Sequence, residues 1–159
     1  ALDNLPDKAA VVVAELNPIM VKWCRGPITH LSGGAIDDPR IKVVIDDVAA
    51  VIRHAAIKGR DNRFDAIVLD LYDGPHGGAP GRGENLYGDR AIALSSSALK
   101  AGGVFAVWSE DSDNAFEKRL KAAGFSVTRH RPGRGGRRHV VYIARKGSGN
   151  TIDAKLPIG

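Results

Sequence analysis

An α/β domain, with a mainly parallel sheet, helices on both faces and a C-terminal antiparallel hairpin, is predicted by three features of this sequence. Apolar, β-branched runs alternate with longer stretches of helical periodicity. The runs are apolar almost throughout, the mark of strands buried on both faces. The last two runs flank a Gly-rich turn, which makes them an antiparallel pair. The 159 residues, 43% hydrophobic and 26% charged, suit one domain with a single core. Residues 1–146 are read as that domain and 147–159 as a flexible tail.

The first strand is the run Ala9 to Leu16, and Pro18 then opens a helix in which Ile19, Met20, Val21, Trp23 and Cys24 recur at helical spacing. Ile41 to Ile45 is the next strand, followed by a helix with Val48, Val51, Ile52, Ala55 and Ala56 on one face and Gly59 at its end. Phe64 to Leu69 repeats the strand signal and leads into a Gly/Pro-rich stretch, Gly74 to Gly83, with the look of an active-site loop. A helix over Asp89 to Leu99 comes next. Gly102-Gly103 then turns the chain into the strand Val104 to Trp108, and a helix from Asp113 to Ala123 closes at Gly124. Phe125 to Thr128 and His139 to Ala144 form the hairpin around Pro132 to Gly136.

Several function classes are excluded. No apolar run approaches the roughly 20 residues that cross a bilayer, and Ala1 to Lys8 lacks the apolar core of a secretory signal, so a soluble, cytoplasmic protein with no membrane partner is expected. Cys24 is the only cysteine, which rules out an internal disulfide and a cysteine-based zinc cluster. His54, His76, His130 and His139 lack zinc-site spacing, and no metal is expected. A dinucleotide fingerprint, a P-loop and a Gly-x-Ser-x-Gly elbow are all missing. The net charge of +5 is concentrated in Arg129, Arg131, Arg134, Arg137 and Arg138, without interleaved aromatics for stacking bases. A solvated hairpin tip accounts for it, and nucleic acid is not an expected partner.

In open parallel sheets ligands bind beyond the carboxyl ends of the strands. Four strands end there in acids: Glu15, Asp46 with Asp47, Asp70 with Asp73, and Glu110 with Asp111. A strand-end carboxylate has only acceptor positions and two coplanar oxygens, which suits the two hydroxyls of a ribose. The alternative for each is helix capping, since Asp and Asn are favoured there. For Asp47 the two readings stay balanced, whereas Asn17 can cap the helix after Glu15 and leave that acid for a ligand. In Asp70-Leu71-Tyr72-Asp73-Gly74-Pro75, two acids three apart can attract a cationic substrate and accept a proton from an amine. An Asp-stabilised turn is the competing explanation. His76 is a further candidate substrate contact.

The ordered set of these motifs resembles the spermidine synthase family of class I S-adenosylmethionine-dependent transferases. Val11-Val12-Val13-Ala14-Glu15-Leu16-Asn17-Pro18 is similar to the strand whose acid holds the nucleoside ribose. Val43-Val44-Ile45-Asp46-Asp47-Val48-Ala49 is similar to the next strand and its adenine-side aspartate, with Asp46 in place of the usual glycine. Phe64 to Pro75 resembles the catalytic strand and loop. Leu86-Tyr87 resembles the family's ensuing leucine-aromatic pair, and Leu99-Lys100-Ala101-Gly102-Gly103-Val104 its leucine-x-x-glycine-glycine turn.

The resemblance implies a Rossmann-like, methyltransferase-type fold. It implies Asp70 as the catalytic base, Asp73, Tyr72 and Tyr87 as substrate-binding, and Glu15, Asp46, Asp47 and Leu71 as cofactor-binding. It further implies S-adenosylmethionine or its decarboxylated form as co-substrate, a small-molecule amine or methyl acceptor, and homodimer assembly by family habit. The family's glycine-rich loop after its first strand has no counterpart here, so an N-terminal truncation is expected, and Leu71-Tyr72 replaces a serine pair. Aminopropyl transfer, methyl transfer and a non-catalytic binding module of the same fold remain alternatives, because a fold does not fix an activity.

Overall fold

In the computed structural model, which describes residues 2–71, 74–75, 86–131 and 139–148, the strands form two sheets, and the chain divides into two units at Val51/Ile52. In the first unit β1 (Val11–Glu15) pairs in parallel with β2 (Ile41–Ile45), from Val11 opposite Ile41 to Glu15 opposite Ile45. Between them, α1 (Pro18–Arg25) begins with proline and is capped by Asn17, whose Oδ1 accepts from Ile19 N at 3.0 Å. A short α2 (Thr29–Ser32) comes after it. Arg40 clamps this unit. Its Nε and Nη2 donate to the two Asp38 oxygens at 2.9 and 2.7 Å, and its Nη1 donates to the carbonyls of Leu2 and Leu5. The paired guanidinium holds the Asp38 carboxyl at about 2, below its ordinary 3.8.

The helix α3 (Val48–Lys58) spans the division. In the second unit β3 (Phe64–Leu69) pairs in parallel with β4 (Leu99–Ser109), which pairs antiparallel with β6 (Val140–Lys146), itself antiparallel to β5 (Phe125–His130). The spatial order is β3-β4-β6-β5. The parallel pairs and the final antiparallel hairpin are those the sequence predicts. The hairpin strands run two residues further than the pattern indicates, to His130 and Lys146.

Gly102-Gly103 does not turn the chain before a short strand. It sits inside β4 as a bulge. Phe64 opposes Leu99 while Ala66 opposes Val104, so the four residues Lys100–Gly103 stand against the single residue Asp65 without ending the strand. Gly102 has φ +75°, and a Cβ on Gly103 would come within 2.9 Å of Lys100 O and 3.2 Å of Asp65 O, so both glycines are steric requirements.

On one face of this sheet lie α4 (Asp89–Ala98), against β4, and α5 (Asn114–Ala122), against β5. Alternate β4 residues, Phe105, Val107 and Ser109, are fully buried beneath them. Phe116 from α5 makes edge-to-face contacts with Tyr87 (5.7 Å) and Tyr142 (5.2 Å). Tyr142 Oη accepts from Asp113 N at 2.6 Å, and burial pushes its phenol up. Asp113 caps α5 through Ala115 N and Phe116 N. At the other end of α4, Lys146 Nζ donates to the carbonyls of Ser96 and Leu99, at 2.6 and 2.9 Å. The opposite sheet face carries Val68, which is 68% exposed.

Candidate functional site

Parallel pairing brings strand-end acids together within each unit. In the first, Glu15 lies opposite Ile45, so Asp46 and Asp47 come directly after at the same edge, one strand spacing of about 4.8 Å away. Glu15 is half-buried, and its Oε1 accepts from Asn17 N at 2.8 Å, which leaves the second oxygen without a partner among the described residues. As the sequence predicts, Asn17 caps α1. Asp47 does cap: its Oδ1 accepts from Ala49 N at 2.8 Å and its carbonyl from Val51 N. Asp46 Oδ1 accepts from Asp47 N at 2.8 Å. Capping and ligand binding are compatible here, because each carboxylate spends one oxygen on a backbone amide and the other has no hydrogen-bond partner among the described residues.

In the second unit Leu69 opposes Val107 in the parallel ladder, so Asp70 and the turn Ser109-Glu110-Asp111 stand at the same sheet edge. Asp70 is exposed and its carboxylate has no hydrogen-bond partner among the described residues. Leu71 is half-buried. Tyr72, Asp73 and His76 lie outside the described residues, as do most of the Gly-rich loop, the basic turn and the end of the tail.

Tyr87 is 2% exposed, with its ring against Phe116 and its carbonyl accepting from Arg119 Nε at 3.1 Å. It belongs to the aromatic core of its unit. Arg129, part of the basic cluster, lies 2.9 Å from Glu117 Oε2 and donates to Asn114 Oδ1 at 3.2 Å. The hydrogen bond from Lys121, with the charge of Arg129, holds the Glu117 carboxyl below its ordinary range. Among the described residues no group of three His, Cys, Asp or Glu could hold a metal, and no helix is long and apolar enough to cross a membrane.

Nothing in the sequence singles out Ser109, yet it is fully buried at the end of β4 and its Oγ donates to Asp111 O at 2.7 Å. A small residue directly before a strand-end acid is the one signal for it. The tilted contact of Trp108 with His139, ring centroids 5.0 Å apart, is likewise legible only in three dimensions.

Acid-tipped parallel strands, interleaved helices and a terminal antiparallel hairpin define a Rossmann-like, methyltransferase-type α/β protein. Within that class the chain belongs to the spermine/spermidine synthase domain family, whose model matches residues 4–120. It is 33% identical over 129 residues to a polyamine aminopropyltransferase of Mycobacterium tuberculosis, covering 77% of this chain and 24% of that protein. It is 38% identical over 101 residues to polyamine aminopropyltransferase 1 of Hyperthermus butylicus, covering 64% and 32%. The chain therefore spans about a quarter to a third of the length of these relatives.

Among solved structures it is similar to a spermidine synthase in complex with the transition state analogue AdoDATO. The TM-score is 0.65 at 25% identity, over 88% of this chain and 47% of that one. In fold alone it is similar to human methyltransferase-like protein 13 in complex with SAH, with TM-score 0.68 at 22% identity over 94% and 64%.

Proposed function

We propose that this chain carries the nucleoside and amine sites of an aminopropyltransferase that uses decarboxylated S-adenosylmethionine and a polyamine-like amine. The observation that carries the reading is Asp70, an exposed carboxylate at the tip of a parallel strand with no competing partner among the described residues, in the position of the proposed base. Family membership and the aminopropyltransferase relatives support it. Glu15, with one oxygen uncommitted, takes the ribose hydroxyls, and Asp46 and Asp47 line the nucleoside; Leu71 as a nucleoside contact rests on the family resemblance alone. Asp73 and Tyr72 hold the amine, whereas the Tyr87 ring is taken up by the aromatic core.

The substrate amine reaches Asp70 as an ammonium and gives the carboxylate one proton. Its freed lone pair attacks the aminopropyl carbon next to the sulfonium. The new C–N bond forms as the C–S bond breaks, and the bonding pair returns to sulfur, leaving neutral 5′-methylthioadenosine. Charge is conserved, because the sulfonium's positive charge passes to the alkylated nitrogen. Orientation of the two reactants and the local negative field account for most of the acceleration such a site can give.

The test is the melting temperature of the intact protein with and without saturating 5′-methylthioadenosine, for the native protein and Glu15→Ala. Ligand at about a hundred times its Kd adds roughly 2.7 kcal/mol, on the order of 5 to 10 °C for a domain of this size. A shift lost in the variant supports the nucleoside site. Release of 5′-methylthioadenosine in the presence of diamines then separates aminopropyl from methyl transfer, since methyl transfer leaves S-adenosylhomocysteine. A folded protein with no shift means that the fold serves as a non-catalytic module.

A further inference from the structure

Gly74, four residues after Asp70, comes unusually close to the end of β4. A Cβ built on Gly74 would stand 2.9 Å from Ser109 Oγ and 3.4 Å from Ser109 Cα and Cβ. Real Cβ atoms do not come that near, so a side chain at position 74 requires something to move. Ser109 has little freedom to do so: it is fully buried, and its hydroxyl is engaged with Asp111 O at 2.7 Å. Moving the hydroxyl aside breaks this partly buried hydrogen bond, which leaves Gly74 as the part that yields. Asp70 stands four residues before the contact, and its carboxylate has no hydrogen bond among the described residues to hold it otherwise.

We propose that Gly74 and Ser109 are positioning residues for Asp70: the bare Cα of Gly74 seated on Ser109 anchors the chain four residues beyond Asp70 and so fixes the aim of the Asp70 carboxylate. Neither residue touches substrate in this role. The role rests on the assignment of Asp70 as base, but the contact itself can be tested without it.

The geometry specifies a rescue. Gly74→Ala puts a methyl group against the Ser109 hydroxyl. Ser109→Ala removes that oxygen, and the remaining atoms lie at ordinary contact distance, 3.4 Å. In the intact protein, Gly74→Ala should lower kcat for aminopropyl transfer on the order of ten- to a hundredfold. The 5′-methylthioadenosine Kd should stay within about twofold, and Gly74→Ala with Ser109→Ala should recover most of the rate. Amide chemical shifts of Asp70 and Leu71 should move in Gly74→Ala and return in the double variant.

If the shifts move and return but the native protein transfers no aminopropyl group, the positioning contact stands and the enzymatic assignment falls. If an active native protein loses kcat in Gly74→Ala with no recovery in the double variant, or if the Asp70 and Leu71 shifts do not move, the positioning role is wrong. A lowered melting temperature with unchanged kcat in Gly74→Ala overturns it as well.

Discussion

The two units carry comparable strand-end acids on very different foundations. In the first, Val21 is the one buried hydrophobic side chain among the described residues, while Leu16, Ile19, Trp23, Leu31 and Ile45 are half to three-quarters exposed. Its order comes from the β1-β2 ladder, the Asn17 and Asp47 caps and the Arg40 clamp. The second unit has a dense core in which Leu69, Ile92, Phe105, Phe116, Leu120 and Tyr142 are sealed from solvent. Acids can thus be placed at a sheet edge by backbone pairing and capping alone, but only the second unit places its acid on a close-packed support.

That contrast makes ordered predictions. The largest effect should come from Asp70→Asn, which keeps the shape and removes the base: turnover should fall on the order of 10²- to 10⁴-fold in amine-transfer assays, with nucleoside affinity retained. Retained turnover would remove Asp70 from the chemistry. Phe116→Ala, at the centre of the aromatic cluster, should cost about 3 to 5 kcal/mol in denaturant unfolding. A cost under about 1 kcal/mol would erase the distinction between the units. Tyr142→Phe leaves the Asp113 N–H without its buried acceptor and should cost about 1 to 3 kcal/mol. Trp23→Ser in the first unit should change stability by less than about 0.5 kcal/mol, as expected for a half-exposed side chain. A larger loss would reveal a partner for that face.

The Asp38-Arg40 clamp gives the first unit a pH signature. Asp38 is depressed from 3.8 to about 2 on folding, so its contribution is complete above pH 3.8 and fades as the pH falls towards 2, when the folded state also takes up the proton. Acid titration followed at Arg40 and Leu5 amides should show loosening in that window, and Asp38→Asn should abolish the dependence. Unchanged acid behaviour in that variant would assign the loosening to other carboxylates.

Sequence by itself determined most of the elements and that acids follow their parallel strands. The bounds of β2 and β3, the start of α1 at Pro18 and the Asn17 cap stem from local rules: branched apolar runs, proline at the first turn, and side chains that satisfy the first amides. Parallel pairing was legible too, since runs without polar alternation need cover on both faces.

Tertiary structure alone decided three things. Gly102-Gly103 reads as a turn in one dimension and proves to be a bulge within β4, because pairing with β3 resumes on its far side, Phe64 with Leu99 before it and Ala66 with Val104 after it. Tyr87, a substrate-binding candidate by its place in a motif, has its ring in the aromatic cluster, since Phe116, itself packed on Tyr142, meets it from a distant segment. The approach of Gly74 to Ser109 depends on chain paths 35 residues apart in number, for which no local pattern exists. Local patterns encode which backbone groups are satisfied and which faces are apolar. Which atoms finally touch is set by the packing of segments that meet only in the fold.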